Sequence, residues 1–203
     1  MSSRKEATAK WEAIYSEPLE RLPWYSPVAD AELVAAIEGA LPRGARLLDI
    51  GSGPGTTAAD LAARGFRLLG VDISSAAVDA AAERFGQRPP LLRFQVADVL
   101  VDELPGGPYD GVVDRGTFGT LEPADRPSYV RRVGAVLRPG GHLFLKTFSI
   151  EEPGEWGPHR FSEELLRSTL GSVFDLQSVD RTTLPSTLDH DPRTLFSVWR
   201  RRA

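Results

Sequence analysis

Short apolar runs alternate with helical segments along most of this chain of 203 residues. Such runs predict strands at residues 45–50, 66–71, 91–96, 109–114, 141–148, 173–184 and 194–201. Strands that alternate with helices form a largely parallel sheet covered on both faces. Because no helix separates the last two runs, they should pair antiparallel. The expected fold is therefore α/β, a Rossmann-like seven-stranded, mostly parallel sheet with helices on both faces and an antiparallel C-terminal hairpin.

Capping residues predict where several helices begin and end. Asp30 and Ser74 are expected N-caps, and Gly65 and Gly86 are expected to end their helices. Pro127 should disturb the first turn of its helix, because proline lacks a backbone N–H group. The predicted helices cover residues 5–16, 30–40, 56–65, 74–86, 123–137 and 162–171.

The first strand ends in a carboxylate and a glycine-rich turn, LLDIGSGPGTT at residues 47–57. Glycine tolerates positive φ and lets the backbone approach a ligand closely. The glycines follow a G-x-G-x-G spacing and Thr56 comes next, so the dinucleotide fingerprint G-x-G-x-x-G is not met. Since a helix N-terminus that binds pyrophosphate disfavours a nearby negative charge, Asp49 favours a ligand with a cationic part.

Four acids, Asp49, Asp72, Asp98 and Asp114, stand at the ends of successive predicted strands. Ligands of open α/β sheets bind at the carboxyl ends of the strands, so these acids should converge. An acid about 20 residues after the glycine turn suits a ribose diol, which assigns Asp72 to that role. S-adenosyl-L-methionine combines a ribose and an adenine with cationic groups and carries no phosphate. Asp49 would face its methionine end, and Asp98 with Val99 its adenine edge.

The segments LLDIGSGPG, GVDIS, ADV and YDGVVDRGTF resemble the consecutive motifs of class I S-adenosylmethionine-dependent methyltransferases. Within that superfamily the chain resembles the thiopurine S-methyltransferase type and the tellurite-resistance group. The segments that carry this likeness are KWEAIYSEPLERLPW, DRGTFGTLEPADRPSYV and GPHRFSEELL. The resemblance implies that Trp11 and Trp24 cover the cofactor and that Arg115 lies near cofactor and substrate. The loop after the first strand lacks the Cys-Gly-Lys type of segment usual in thiopurine enzymes, and the C-terminal part matches loosely.

The predicted cofactor-binding residues are Trp11, Trp24, Asp49, Ile50, Gly51, Ser52, Gly53, Gly55, Asp72, Ile73, Asp98, Val99, Asp114 and Arg115. Arg115 and His159 are the candidates for orienting the acceptor, and no metal site is predicted. Residues 1–40 are expected to form a helical and aromatic lid segment. Residues 41–203 are expected to form the methyltransferase domain, within a single globular domain overall.

Several of these residues also have a purely structural interpretation. Arg115 could pair with its neighbour Asp114, and the two tryptophans could be core aromatics under a docked helix. A lone histidine in a loop, such as His159, is usually just exposed. Asp98 could simply be a solvated residue of an acidic loop. These alternatives remain open at the level of sequence.

Methyl transfer from a sulfonium is an in-line displacement in which a neutral thioether leaves, so holding the acceptor close supplies much of the acceleration. A general base is needed only for an acceptor that is protonated at neutral pH. The chain has no Asn-Pro-Pro-Tyr element of the kind that amine methylases use. The expected acceptor is a small thiol, a thiopurine-like compound or another soft or anionic nucleophile. A nicotinamide-dependent oxidoreductase and a non-catalytic S-adenosylmethionine-binding module stay open as alternatives.

Composition bounds the partners and the compartment. The formal net charge of −4 disfavours a nucleic-acid partner, which normally meets a basic surface. There are no cysteines, which excludes disulfides and thiolate catalysis. No apolar stretch is long enough for a membrane span, and the first residues lack a signal-peptide core. We therefore expect a cytoplasmic monomer or weak dimer that meets no membrane.

Overall fold

A central sheet organises the computed structural model, which describes residues 4–88 and 90–203. Its strands there are β1 (Arg46–Ile50), β2 (Arg67–Asp72), β3 (Leu92–Val96), β4 (Tyr109–Arg115), β5 (Leu137–Ser149), β6 (Arg160–Phe161), β7 (Phe174–Thr183) and β8 (Arg193–Arg201). The order across the sheet is β3-β2-β1-β4-β5-β8-β7, with the short β6 paired to β5. The strands from β3 to β5 run parallel, and β8 is antiparallel to both β5 and β7. This confirms the predicted fold, to which the structure adds the two-residue β6.

The helices match the predicted positions to within a few residues, apart from one short addition. They are α1 (Arg4–Tyr15), α2 (Ala31–Ala40), α3 (Thr56–Ala63), α4 (Ser75–Phe85), α5 (Thr117–Thr120), α6 (Arg126–Val136) and α7 (Glu163–Leu170), with a 3-10 turn at Leu19–Arg21. The predicted caps are present, since Asp30 Oδ1 accepts from the Leu33 N–H (3.4 Å) and Ser74 Oγ from the Ala77 N–H (3.2 Å). Helix α6 begins only at Arg126, with proline in its first turn. The four-residue helix α5 was not predicted.

The end of α3 shows how one glycine directs the chain into the next strand. Gly65 has a φ of +96° and donates its N–H to the Ala62 carbonyl, while the Phe66 N–H reaches the Leu61 carbonyl. These two bonds form a Schellman motif, in which glycine takes the left-handed position beyond the helix. The predicted stop at Gly65 is therefore confirmed, and it turns the chain directly into β2.

The two faces of the sheet carry two hydrophobic clusters. Helices α5, α6 and α7 cover one face. Helices α2, α3 and α4 cover the other, where Leu33 and Ile37 of α2 pack with Leu47 of β1. Helix α1 differs, because none of its residues is buried. Of the 1–40 segment predicted as a lid, α2 thus belongs to the packed core and α1 lies outside it.

Strand β5 contains an excursion near its start. Tyr109 of β4 pairs with Leu137, but Gly111 pairs with His142, so residues 138–141 bulge out of the ladder. Beyond this bulge β5 continues to Ser149, past the last residue of β4. The carboxyl end of β5 therefore projects along the edge where the predicted site residues lie.

Candidate cofactor site

The carboxyl ends of β1, β2 and β4 bring together three of the predicted acids. In the register, Asp49 of β1 lies opposite Gly70 of β2, and Ile50 lies opposite Asp114 of β4. Asp72 is the last residue of β2. Asp98 follows β3, the outer neighbour of β2. The four acids thus occupy one edge of the sheet, together with the glycine turn between β1 and α3.

The three glycines of this turn have no room for a side chain, and at Gly51 a β-carbon would lie 1.7 Å from the Thr117 hydroxyl oxygen. Gly53 and Gly55 have φ angles of +51° and +79°. A β-carbon on Gly55 would lie 2.7 Å from the Phe94 ring, and one on Gly53 would lie 2.8 Å from the hydroxyl oxygen of Tyr15. The turn is therefore packed closely between the body of the domain and helix α1.

Asp72 ties β2 to the glycine turn. Its Oδ2 accepts from the Gly53 N–H and its Oδ1 from the Ser74 N–H, both at 3.0 Å. Burial raises the pKa of this carboxyl group, and the backbone donors oppose that shift. A carboxylate has about four acceptor positions, so these two bonds leave capacity for a pair of ligand hydroxyls.

Asp49 is fully buried, and its Oδ2 has no hydrogen-bond partner among the described residues. Burial, and after it the charge of Asp114, raises the pKa of Asp49 to about 8, while Arg115 opposes the shift. Buried polar atoms are normally satisfied, so an unpaired carboxylate oxygen at a turn calls for an explanation. A cationic or donor group of a ligand would satisfy it.

Asp114 is bound from within the protein. Its oxygens accept from the N–H groups of Gly116 and Phe118, each at 3.0 Å, and from the hydroxyl of Tyr129 at 2.5 Å. Burial raises the pKa of Asp114 to about 6, against the effect of these hydrogen bonds. Its carboxylate thus binds the start of α5 and Tyr129 of α6. Its contact with a cofactor stays a prediction.

Arg115 bridges three segments at the edge of the sheet. Its Nε lies 3.8 Å from Asp30 Oδ2, and its terminal nitrogens donate to the carbonyls of Trp24 and Pro185, each at 3.4 Å. Burial lowers the pKa of the guanidinium, which Asp30 and Asp49 oppose. The ion pair that Arg115 makes is thus with Asp30, whereas the sequence suggested Asp114.

One face of α1 contacts three parts of this edge. Both Nε and Nη2 of Arg4 lie 2.7 Å from Asp98 Oδ2. Glu12 accepts from the hydroxyls of Ser74 (2.8 Å) and Ser75 (2.7 Å) at the start of α4, which lowers its pKa. Tyr15 reaches the glycine turn, as described above. Residues spaced by four, seven or eight and eleven positions share one face of a helix. Sequence reasoning missed these three residues, although that spacing was there to be read.

The predicted tryptophans join Tyr15 in an aromatic cluster. The Trp11 ring lies 5.8 Å from the Trp24 ring in an edge-on arrangement and 6.1 Å from the Tyr15 ring in a stacked one. Desolvation of the half-buried Tyr15 and the neighbouring charge of Asp72 raise the pKa of its phenol. Because Tyr15 touches Gly53, the cluster stands directly over the glycine turn.

The remaining predicted residues lie at the two ends of the site. Asp98 is buried and its Oδ1 accepts from the Leu100 N–H at 2.9 Å, while Val99 is also buried. Ile73 is half-buried beside Asp72. His159 has an exposed side chain, and its backbone N–H donates to Gly119 of α5 at 2.9 Å. His159 therefore lies beyond α5, and its role toward an acceptor stays a prediction.

The described part of the chain shows no metal-binding cluster and no membrane-spanning helix. Between residues 4 and 88 and between 90 and 203, no group of three His, Asp or Glu side chains is arranged to hold a metal ion. Over the same ranges, no helix combines the length and the apolar character needed to cross a membrane.

Comparison with known proteins gives a consistent result. A family model described as a methyltransferase domain matches residues 47–141. An uncharacterized methyltransferase of Mycobacterium tuberculosis is 33% identical over 127 residues, which cover 62% of this chain and 61% of that protein. A probable thiol methyltransferase of Arabidopsis thaliana is 30% identical over 125 residues, covering 61% of this chain and 55% of that protein. This chain thus aligns with about three fifths of the length of the first relative.

A solved structure extends the likeness to the whole chain at the level of fold. The 1,6-didemethyltoxoflavin-N1-methyltransferase of Burkholderia thailandensis superposes with a TM-score of 0.74 at 23% identity, covering 100% of this chain and 92% of that one. Residues 47–141 therefore match a methyltransferase domain, and the chain as a whole has the fold of that solved methyltransferase.

Proposed function

We propose that the protein transfers a methyl group from S-adenosylmethionine to a small-molecule acceptor. The observation that carries this proposal is Asp49, a buried carboxylate with an unpaired oxygen beside a compressed glycine turn. A cationic ligand group would pair with that oxygen once the carboxyl group ionises, whereas a pyrophosphate would oppose its ionisation. The match to a methyltransferase domain over residues 47–141 supports the same conclusion independently.

The residues at the strand ends fit the parts of this cofactor. Asp49 would face the ammonium group and Asp72 the ribose hydroxyls, while Asp98 and Val99 would meet the adenine edge. The backbone of residues 50–53 and Gly55 would lie against the methionine portion, and Ile73 beside the ribose. When bound, S-adenosylmethionine supplies an electrophilic methyl group on a sulfonium.

The chain's own task is then to position the reactants and exclude water. Trp11, Trp24 and Tyr15 form one side of the site, and aromatic faces tolerate a neighbouring cation. Covering the site in this way strengthens electrostatic contacts inside it and keeps the methyl donor from water. Segment 11–27 is thus proposed to act as a lid over the cofactor.

The proposed acceptor is a soft or already anionic nucleophile, such as a thiolate. An acceptor of that kind needs no general base, and Arg115 supplies positive charge at the edge of the sheet. The Arabidopsis relative is named a probable thiol methyltransferase, which supports the same class of acceptor. His159, on the loop after β5, would orient the acceptor from outside.

Two alternatives remain distinguishable by experiment. A nicotinamide-dependent oxidoreductase would need a pyrophosphate site, which the acid at the turn disfavours. A non-catalytic module would bind S-adenosylmethionine without turnover. We further propose that the protein acts in the cytoplasm as a monomer or weak dimer, on small molecules and not on nucleic acid.

Calorimetric titration with S-adenosylmethionine, S-adenosylhomocysteine and NAD tests the cofactor. Binding of the first two and not of NAD is expected, and it should be lost in Asp49→Ala and kept in Asp79→Ala, an exposed acid of α4. Release of S-adenosylhomocysteine over a panel of thiols, thiopurines, phenols, carboxylates and tellurite then tests turnover. Binding without release over the whole panel would favour the non-catalytic module.

A further inference from the structure

A lysine is buried at the carboxyl end of β5. Lys146 is one of three lysines in the chain, and its side chain is 1% exposed. Its Nζ donates to Asp30 Oδ2 at 2.5 Å and to the Thr183 carbonyl at 3.0 Å, and it lies 3.4 Å from Glu32 Oε2. Sequence reasoning assigned this residue no function, because it follows an apolar run like many strand residues.

The carboxylate of Asp30 is shared between two cations. Its Oδ2 faces Lys146 and also lies 3.8 Å from Arg115 Nε, while its Oδ1 caps helix α2. Arg115 and Lys146 are register partners on the neighbouring strands β4 and β5, so their side chains leave the same face of the sheet side by side. The Asp30 carboxylate thus lies between the adjacent positive charges of Arg115 and Lys146.

Stability alone does not account for this arrangement. Desolvation of two charges offsets much of their attraction, and a well-packed apolar pair is often as stable as a buried ion pair. A methionine at position 146 could fill similar space without any charge. What the ion pair provides, and an apolar pair does not, is a fixed position for the Asp30 carboxylate beside Arg115.

Arg115 in turn joins two segments that cross the strand ends. It donates to the carbonyl of Trp24 in the N-terminal segment and to that of Pro185 in the β7–β8 connection. The same two segments are bonded to each other, since the Thr187 N–H donates to the Pro23 carbonyl at 2.9 Å. Residues 22–28 and 184–192 therefore meet above the ends of β4 and β5.

We propose that Lys146 is a positioning residue of the methyl-transfer site, an inference that rests on the proposed function. By holding Asp30, it keeps the guanidinium of Arg115 under Trp24 and Pro185, so that segments 22–28 and 184–192 close over the acceptor side. Without the lysine, Asp30 is free to pair fully with Arg115 and draw it away from both carbonyls. The two segments then lose their common anchor.

Amide hydrogen exchange of the ligand-free protein tests this directly. In Lys146→Met, exchange in residues 22–28 and 184–192 should rise about tenfold or more, with β1 and β2 as protected as before. The same local rise is expected in Arg115→Met. A control is the partly exposed pair of Asp110 and Arg138, which lies at the other end of the strands, so Arg138→Met should leave both segments unchanged.

A double variant separates positioning from simple stability. Asp30→Asn with Lys146→Met removes both charges and keeps an oxygen to cap α2. It should recover the thermal midpoint lost in Lys146→Met, yet leave exchange in the two segments fast. Recovery of stability and protection together would overturn the proposal, as would unchanged exchange in Lys146→Met.

A kinetic readout completes the test once the acceptor panel identifies a substrate. Lys146→Met should weaken S-adenosylhomocysteine binding less than it impairs kcat or KM for the acceptor, because, of residues 22–28, only Trp24 is proposed to cover the cofactor. An equal loss of cofactor affinity and turnover would contradict a role on the acceptor side. Since the exchange measurement needs no ligand, the positioning of Arg115 can fail or hold whether or not the protein proves to be a methyltransferase.

Discussion

The hydroxyl oxygen of Tyr15 lies 2.8 Å from the position that a β-carbon on Gly53 would occupy. Helix α1 and the glycine turn are thus in direct contact, although they lie on opposite sides of the first strand in sequence. The contact places a phenol, the two tryptophans behind it and a compressed backbone at one point of the strand edge. A change in the glycine turn should therefore also affect the packing of α1.

Gly53→Ala should therefore disturb both the turn and α1. A left-handed φ costs an alanine roughly 1–2 kcal/mol, and the new methyl group would also press on Tyr15. Gly44→Ala is the control, since Gly44 has a φ of +85° with open space around it. Denaturant unfolding should show the larger loss for Gly53→Ala, and addition of Tyr15→Phe should recover part of it. Equal losses in the two alanine variants would mean that the Tyr15 contact is unimportant.

The pKa of Asp49 predicts how stability varies with pH in the absence of ligand. Because its folded-state pKa is raised from 3.8 to about 8, the folded state holds the proton more tightly than the unfolded chain. The free energy of unfolding should therefore fall as pH rises through this interval. Asp114, with a pKa of about 6, should also lower the free energy of unfolding as pH rises, over the lower part of this interval.

Urea unfolding at a series of pH values checks this, with Asp49→Asn as the comparison. The variant should lose the decline between pH 6 and 8 and keep the part due to Asp114. A wild type whose stability is flat over that range would show that Asp49 is ionised in the folded protein.

Binding of a cationic ligand should release a proton near pH 7. A positive group beside Asp49 favours the ionised carboxylate, whereas the ligand-free protein holds Asp49 mostly protonated at that pH. The binding enthalpy of S-adenosylmethionine should then vary with the ionisation enthalpy of the buffer. Asp49→Asn should show no such dependence, and a buffer-independent enthalpy in the wild type would remove Asp49 from contact with the cation.

The local parts of this site were predictable from the sequence, and the long-range parts were not. Strand, glycine turn and helix at residues 46–63 follow from periodicity and from the conformations that only glycine adopts. By contrast, Lys146 meets a carboxylate 116 residues away, and no local pattern carries that information. Asp30 was correctly predicted as a cap through one oxygen, but the partners of its other oxygen depend on how the sheet is assembled.

Asp114 shows the same division within one residue. Its place at the end of β4 followed from the strand pattern, and the structure confirms that place. Its backbone donors come from the start of α5, a four-residue helix too short to have a periodicity of its own. The contact of Arg4 with Asp98 was not predictable either. It depends on how α1, a helix without buried residues, packs against the end of β3.

The ion pair of Arg4 and Asp98 should compete with adenine. Both Arg4 contacts fall on Oδ2, so an amino group reaches that oxygen only after the arginine has moved. Since Arg4 is partly exposed, the pair is worth at most about 1 kcal/mol, and Arg4→Gln should tighten S-adenosylhomocysteine binding by no more than about fivefold. Asp98→Asn should weaken it, and Arg64→Gln, which breaks ion pairs with Asp60 of α3 and Glu38 of α2, should change nothing. Weaker binding in Arg4→Gln would instead show that Arg4 holds the ligand.

Removal of α1 tests whether it is a lid or only packing. No residue of α1 is buried, whereas Leu22 is buried and Pro23 bonds to Thr187, so deletion of residues 1–17 should leave a folded domain. That domain should bind S-adenosylhomocysteine more weakly, because the loss of the aromatic contacts outweighs the loss of competition from Arg4. In the full chain, the ligand should change tryptophan fluorescence, much less in Trp24→Phe and undiminished in Trp156→Phe, whose side chain is exposed. Normal affinity and turnover in the truncated protein would mean that α1 merely rests on the site, since a lid that excludes water from the methyl donor cannot be removed without cost.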